Sequence, residues 1–417
     1  MIDVFMHTLT IPCGVEREDS VLVCCSGGVD SMVLLRLMIK AQVQLNLRLH
    51  VVTVDHGLRC ESPGDANFVL ETCKALGIDA SIYELRMDSR IANLEEQARM
   101  RRYEAIWDCR KRQGSRYVAT GHTMNDQAET VLYRLIRGSG LKGLTGIAYA
   151  QPDGLIRPML DITKAQVEAF ARDQGIRFVT DRTNDDLSLT RNLIRKRLLP
   201  LMRKINPAVV NAIARFALIS REESAYLEEA ANALESEALK VDWGVCRIYD
   251  LERLKAAHAA VFKRLLIGVV SNMLGEPRGI EAQQVEWILD VLKDVTKAHT
   301  VKRRVRVERS GEHLVFSPTS GGPYYDLEVK ASGEYCLPAI KQRLRLDIAK
   351  GWDGPLHIRS YLPGDRLFGK KVAQLLAEHG VMEHLRRFWP VLLSGGEIIS
   401  VGGLPDPFGR VDLHFPL

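Results

Sequence analysis

The chain has 417 residues, 46% of them hydrophobic and 26% charged, with a formal net charge of +5. That length is too great for one compact core, so two or three domains are expected, and the composition is that of a globular protein and not of a disordered or fibrous one. No apolar run approaches the roughly 20 residues of a bilayer span; residues 1–13 are too short and mixed for a signal peptide, so the cytoplasm is the expected compartment and no membrane partner is expected.

In chain order, the first strong signal is Val21-Leu22-Val23-Cys24-Cys25 running into Ser26-Gly27-Gly28-Val29-Asp30-Ser31 and then Met32-Val33-Leu34-Leu35. This predicts a buried parallel strand, a tight loop and a helix. Such a loop aims successive N–H groups and a helix N-terminus at one spot, which suits a phosphate or pyrophosphate. Glycine lets the anion come close to the backbone. The alternative is an ordinary βα turn that uses glycine for its geometry.

A second buried strand is predicted over 45–54. It ends in Asp55-His56-Gly57-Leu58-Arg59, at the strand edge where open α/β sheets bind ligands. A helix over 62–77, a strand over 80–85, a long helix over 93–113 and a short strand over 117–120 follow. The last leads into Gly121-His122-Thr123-Met124-Asn125-Asp126-Gln127-Ala128-Glu129-Thr130, with helix continuing over 131–137. This alternation predicts a doubly wound α/β domain over the first ~200 residues.

Residues 154–160 read as a turn and a short extended piece. Thr163 is a fitting N-cap for a helix that Gly175 stops. Residues 181–186 read as a loop, and Arg191, Asn192, Arg195, Lys196 and Arg197 precede a helical stretch ending near Pro200. Residues 207–239 form one or two helices leaving the first domain. Helices are expected over 251–274 and 281–294, and 302–308 alternates basic and apolar residues like a strand with one cationic face. Gly321-Gly322-Pro323 reads as a linker. Short strands follow over 327–329, 344–348, 356–359 and 391–401, interrupted by a helix over 371–388, which predicts a small α+β domain.

Two glycine motifs lack the context their chemistry needs. Gly138-Ser139-Gly140-Leu141-Lys142-Gly143 follows a helix and not a strand, and Gly364 to Lys370 is followed by Lys371 where a P-loop needs Ser or Thr. The eight cysteines contain no C-x-x-C pair, so zinc and thioredoxin-type roles are disfavoured. Cys24 and Cys25 read as core thiols.

Residues 26–31 resemble the SGGxDS loop of the adenylating N-type ATP pyrophosphatases. Later motifs choose within that superfamily. These are residues 55–59 and 96–103, Gly121-His122 with Asp126-Gln127-Ala128-Glu129-Thr130, residues 137–141, Arg157-Pro158-Met159-Leu160, Asp181 with Asn184, and Arg191-Asn192 with Ile194-Arg195. In this order they resemble the tRNA(Ile)-lysidine synthetase family. Leu362-Pro363-Gly364-Asp365-Arg366, Lys370-Lys371 and Arg387-Phe388-Trp389-Pro390 resemble the last domain of its long, three-domain members. One departure is Asn125, where the family usually carries an acid.

The resemblance implies a doubly wound parallel sheet, adenine nucleotide alpha hydrolase-like, over 1–215. A mostly helical tRNA-binding domain over 216–320 and a small α+β tRNA-binding domain over 321–417 would follow. It implies ATP and Mg²⁺ as cofactors, and L-lysine and a tRNA(Ile) precursor with a CAU anticodon as partners, with no DNA partner and a homodimer left open. In the implied reaction ATP adenylates the C2 oxygen of the wobble cytidine and pyrophosphate leaves. The amine of lysine then attacks C2 and AMP leaves, which changes decoding from AUG to AUA. Ser26, Gly27, Gly28, Val29, Asp30 and Ser31 would hold the pyrophosphate, with Asp55, His56, Arg59 and His122 also at the nucleotide.

Asp30 is the candidate magnesium ligand, its alternative being an acidic first-turn residue that complements the helix dipole. Asp126 and Glu129 lie three apart on one helix face and suit lysine's ammonium groups; one could accept the amine proton. Their alternative is a solvated acidic face. Arg191 and Arg195, four apart, could hold the cytidine's phosphate or the adenylate, though Arg195 could equally belong to an ordinary cationic face. The catalytic set is thus Asp30, Asp126, Glu129 and Arg191, with the role of His122 left open. Arg303, Arg304, Arg306, Lys370, Lys371, Arg386 and Arg387 are the candidate contacts to RNA phosphates. A tRNA sulfurtransferase, which needs a reactive cysteine pair, and a non-catalytic RNA-binding protein are the competing readings.

Overall fold

The computed structural model describes residues 1–55, 62–85, 94–179, 190–276, 280–293, 296–319, 324–349, 354–404 and 411–415. The chain separates into two compact units, Met1–Ser224 and Ala225–Leu417.

The first unit opens with helix α1 (Ile2–Thr10). It then alternates β1 (Ser20–Cys24), α2 (Val29–Leu45), β2 (Arg48–Asp55), α3 (Ser62–Ala75), β3 (Ala80–Glu84), α4 (Leu94–Gln113), β4 (Tyr117–Ala119), α5 (Met124–Ile136), the short α6 (Leu141–Leu144), β5 (Leu155–Ile156) and α7 (Lys164–Asp173). The strands form one sheet in the order β3-β2-β1-β4-β5, every pair parallel. Val21, Leu22 and Val23 of β1 are fully buried, Val21 and Val23 against the cluster built on α1, α2 and α7, and Leu22 against Ile106 and Cys109 of α4. A strand covered on both faces must be apolar at every position, which is why β1 reads as an unbroken run. Burying each such side chain contributes roughly 1.5–3 kcal/mol. Chain order reverses between β1 and β4, so the loops leaving these two strands diverge and open a crevice at their carboxyl ends.

The unit closes with α8 (Thr190–Leu193), one π-helical turn (Ile194–Leu198) and α9 (Leu199–Ile205), then enters the 30-residue helix α10 (Val209–Ala238). Pro200 does not end the helical run as expected; the run continues through it, with the π-helical turn directly before.

The second unit begins with a five-stranded antiparallel sheet, β6 (Leu239–Asp242), β7 (Arg247–Asp250), β8 (Ala298–Val301), β9 (Val305–Ser310) and β10 (His313–Pro318), in the order β6-β7-β10-β9-β8. Helices α11 (Leu251–Ala256), α12 (Ala259–Leu274) and α13 (Ala282–Leu292) lie between β7 and β8, and residues of α12 and α13 share one core with the sheet. The expected strand over 302–308 starts only at Val305. Lys302 and Arg303, at φ 46° and 56°, form the turn before it.

After it come β11 (Asp326–Val329), β12 (Gly333–Leu337), β13 (Gln342–Ile348), β14 (Leu356–Ser360), the ribbon β15 (Arg366–Leu367) and β16 (Lys370–Lys371), then α14 (Val372–Glu378), α15 (Glu383–Arg386), β17 (Pro390–Ser394), β18 (Glu397–Val401) and β19 (Val411–His414). The single helix expected over 371–388 is two short ones. Gly380, at φ 77°, ends the first in the left-handed conformation that suits glycine. The glycines resembling a P-loop sit in the β15–β16 ribbon, away from any buried parallel strand. Among the described residues no helix is long and apolar enough to cross a membrane.

Candidate active site

At the end of β1 the chain turns through Gly27, whose φ of +82° is open to glycine, while its carbonyl accepts the Val179 N–H at 2.9 Å. Gly28 caps α2 in an extended conformation and brings no side chain to the first turn. The N–H groups of that turn are therefore available to an anion. Ser31 faces the loop itself. Its hydroxyl accepts the Ser26 N–H at 3.1 Å, donates to the Gly28 carbonyl at 2.9 Å and lies 3.3 Å from the Ser26 hydroxyl. The second serine of the motif thus braces the loop.

Asp30, in the first turn of α2, has a cationic partner that sequence reasoning missed. Lys164 Nζ lies 2.7 Å from both of its carboxylate oxygens, each side chain about one-third exposed (34%). Burial raises the Asp30 carboxyl above its ordinary value, and Lys164 opposes that shift. Lys164 is the first residue of α7, whose N-cap Thr163 forms a capping box with Gln166. A cation in a first turn works against the helix dipole, and that misplacement is the signal that it serves a partner elsewhere. The Lys164 N–H donates to Asn125 Oδ1 at 2.9 Å, and the Met124 N–H donates to the Ile162 carbonyl at 2.9 Å. The first turns of α5 and α7 are thereby fastened together. A Cβ on Gly121 would lie 3.1 Å from the Asp30 carbonyl, so the loop leaving β4 packs closely on the first turn of α2.

Asp126 and Glu129 do share a face of α5, and both arginines expected nearby are on them. Arg195 Nε donates to Glu129 Oε1 at 2.6 Å and its Nη2 to Oε2 at 2.9 Å; Arg191 Nε donates to Oε2 at 3.1 Å. Each guanidinium also reaches Asp126 Oδ1 at 3.3 Å. The other Asp126 oxygen accepts the Thr123 N–H and hydroxyl, both at 2.8 Å, as a helix cap. Burial works to raise the Asp126 carboxyl, but His122, the Thr123 N–H and Arg191 outweigh it and hold the carboxyl below its ordinary value. The solvated acidic face is excluded for Glu129, whose side chain is only 2% exposed, against 41% and 40% for the arginines. The π turn lies within this arrangement, closed by the Leu199 N–H on the Ile194 carbonyl. Ile194, Leu199, Val209 and Val210 pack with Ala128 and Leu132 of α5, holding the arginine-bearing segment against the acids.

His122 Nδ1 lies 2.9 Å from the Thr120 hydroxyl, and burial drives the imidazole pKa down to about 4. Asp55 is buried at the end of β2. His56, Arg59, Asp181 and Asn184 lie outside the described residues. Gln127 is a structural brace. Its Oε1 accepts the Ile147 N–H at 2.5 Å and its Nε2 donates to the Ile147 carbonyl at 3.4 Å. Arg134 donates to the carbonyls of Gly143 and Gly146. These bonds explain the dinucleotide-like glycines as a surface turn tied to α5.

Burial raises the Cys24 thiol to about 12 and pushes Cys25 well above its ordinary value. Among the candidate RNA contacts, Arg304 pairs with Glu276 and Arg306 with Glu308, Arg386 Nε donates to the Val381 carbonyl, and Arg387 lies over the Phe388 ring. Lys370 and Lys371 are exposed.

A five-stranded parallel sheet whose first βα turn is a Ser-Gly-Gly-x-Asp-Ser loop defines a PP-loop domain, and a family model of that description matches residues 4–202. A tRNA(Ile)-lysidine synthase of Solibacter usitatus is 31% identical over 410 residues, 91% of this chain and 92% of the relative. One from Clostridioides difficile is 27% identical over 93% of this chain and 91% of the relative. The chain belongs to the tRNA(Ile)-lysidine synthase family. Among solved structures, a U34-tRNA thiolase from Methanococcus maripaludis covers 53% of this chain at 18% identity and a TM-score of 0.46, a likeness too slight to bear on function.

Proposed function

We propose that the chain ligates L-lysine to C2 of the wobble cytidine in a tRNA(Ile) with a CAU anticodon, as a carbon–nitrogen ligase that releases diphosphate and AMP. One observation carries the reading. The pyrophosphate-type loop and the Asp126–Glu129 pair leave neighbouring strands of one sheet, in a chain that a lysidine synthase relative matches over more than nine-tenths of both lengths.

In the first step the cytosine C2 oxygen attacks the α-phosphate of ATP, forming the adenylate. Negative charge develops on the departing pyrophosphate, where the first turn of α2 meets it. In the second, the lysine amine attacks C2, loses a proton and expels AMP. Asp126 and Glu129 are the carboxylates that receive lysine's ammonium, and Asp126, with one oxygen outside the helix cap, is the candidate proton acceptor. Arg191 and Arg195 serve the phosphates of the nucleotide or cytidine.

Asp30 fits a magnesium ion as a single carboxylate beside the phosphates, since Mg²⁺ usually takes only one or two protein carboxylates. The fit requires Lys164 to release that carboxylate. Bound there, the ion would neutralise phosphate charge. No cluster of three metal-ligating side chains is present among the described residues.

Sulfur transfer is the weaker reading, because Cys24 and Cys25 stay protonated at neutral pH. The reading places catalysis in residues 1–215 and tRNA contacts in 216–320 and 321–417, in the cytoplasm where such RNA is processed. Incubating the chain with ATP, labelled lysine and this tRNA tests it. Lysine-dependent AMP release with label in the RNA is expected; release without lysine dependence, or label arriving from cysteine sulfur, overturns it.

A further inference from the structure

Between α6 and β5, four consecutive carbonyls accept side-chain donors. Thr145 accepts Arg221 Nη2 at 3.0 Å, Gly146 accepts Arg134 Nη1 at 2.9 Å, Ile147 accepts the same Arg221 nitrogen at 2.8 Å, and Ala148 accepts Arg157 Nη1 at 2.8 Å. A loop held in this way takes its place from the elements that its donors stand on. Arg221 stands on the part of α10 that belongs to the first unit. Its guanidinium also lies over the Tyr149 ring, 4.9 Å from the centroid, and the Tyr149 hydroxyl donates to Asp161 Oδ1 at 2.5 Å. The same loop is bonded to the helix of the acids. The Ile147 N–H donates to Gln127 Oε1 at 2.5 Å, and the Ile147 carbonyl accepts Gln127 Nε2 at 3.4 Å. Gln127 is buried. At about 100° per residue it stands roughly 100° from Asp126 and roughly 160° from Glu129 around α5. It therefore grips the helix from the side turned away from the acids.

Resting on the ligase reading above, we propose that Arg221 is a positioning residue for lysine transfer, acting through Ile147 and Gln127 to set the rotation of α5 and so the place of Asp126 and Glu129. The route runs along hydrogen bonds: Arg221 to the Ile147 carbonyl, the Ile147 N–H to Gln127, and Gln127 to its own helix. A planar guanidinium can lie against the Tyr149 ring while one of its nitrogens reaches two carbonyls; an ammonium reaches the carbonyls alone. The two half-reactions draw on α5 unequally. Pyrophosphate departs at the first turn of α2, whereas the amine is received by carboxylates on α5. A small rotation of α5 therefore slows lysine transfer more than adenylation, since misplacing a reacting group by about 1 Å can slow its step by up to about 100-fold.

Both steps are measured on the full-length chain with the CAU-anticodon tRNA: ATP–pyrophosphate exchange for the first, and single-turnover transfer of labelled lysine to the adenylated RNA for the second. An unfolded fraction lowers both alike, so their ratio reads positioning and not folding. Arg221→Met is expected to slow lysine transfer about tenfold and to leave exchange within about twofold of the parent. Arg221→Lys, which keeps the charge without the plane, should recover part of the loss. Gln127→Leu should show the same imbalance, and adding Arg221→Met to it should cost little more, because both act along one route. Equal loss of both steps in Arg221→Met makes the residue a structural one and overturns the proposal, as does an unchanged lysine step. Multiplying losses in the double variant overturn the route through Gln127. If the parent chain itself transfers no lysine, the ligase reading falls and the positioning role with it, whereas a parent that transfers lysine with an insensitive Arg221 leaves that reading standing.

Discussion

Removing the charge of Glu129 tests whether the acid–arginine arrangement holds the site together. Its carboxylate receives three donors, at 2.6, 2.9 and 3.1 Å, from two arginines. Glu129→Gln keeps the shape but leaves one acceptor oxygen, and turns an NH₂ group toward a guanidinium. Breaking a buried ion pair costs about 3–5 kcal/mol. Both arginines here are about 40% exposed and can recover water, which lowers the expected loss to about 2–3 kcal/mol. At roughly 2–4 °C per kcal/mol for a unit of this size, the transition of the first unit should fall by roughly 5–10 °C. Differential scanning calorimetry of the full chain reads this directly. Glu129→Asp, shorter by one methylene, should fall between. A Glu129→Gln transition within 1 °C of the parent would refute the reasoning, since the arginines would then have to be held by other groups.

Other consequences are as direct. The unfolded His122 imidazole takes up a proton near its ordinary pKa of 6.5, while the folded one refuses it until about pH 4. Stability therefore falls as pH drops through this window, by about 2 kcal/mol at pH 5, and is flat above it; urea unfolding should show that this slope disappears in His122→Asn. Asp126→Asn should abolish lysine transfer while leaving ATP–pyrophosphate exchange partly intact, and equal loss of both would reassign the residue. Gly146 stands at φ +67°, and a Cβ there would lie 2.7 Å from Gln127 Cδ. Gly146→Ala should therefore displace Gln127 from Ile147 and destabilise the chain by about 1–3 kcal/mol in chemical denaturation; a neutral result would show the turn to be loosely held.

What was legible in the sequence is what neighbouring residues determine. The β1 strand, its loop and α2 are consecutive, and burial on both faces of the sheet writes an unbroken apolar run. Asp126 and Glu129 are three apart on one helix, so their common face follows from helical geometry. The partners were illegible because they come from far along the chain: Arg195 is 66 positions from Glu129, and Lys164 is 134 from Asp30. No local periodicity carries such pairings. In the second unit β7 pairs antiparallel with β10 across the intervening helices, and only the short apolar pieces of these strands show in the sequence. Lys302 and Arg303 depart from the expected strand because a turn with positive φ interrupts an alternation that otherwise imitates one.

The charges of the site bring its two substrates into one balance. In this structure Asp30 is matched by Lys164, and Asp126 and Glu129 by Arg191 and Arg195. Three carboxylates thus meet three cations. If Asp126 and Glu129 receive the lysine substrate as proposed, its ammonium must compete with the arginines already on them. In the proposed reading a nucleotide would offer those arginines phosphate oxygens in the bidentate geometry they favour, and so uncover the acids. Phosphate binding and lysine binding should therefore help each other, by the same factor in both directions. Calorimetry with an ATP analogue that cannot be cleaved between the α- and β-phosphates should show lysine binding about tenfold more tightly than in its absence, within the usual range of such couplings. Arg195→Gln should raise lysine affinity without nucleotide and reduce the coupling, because one competitor is gone. An unchanged lysine affinity with and without the analogue would mean that the arginines stay on Asp126 and Glu129 throughout, and that lysine is received elsewhere.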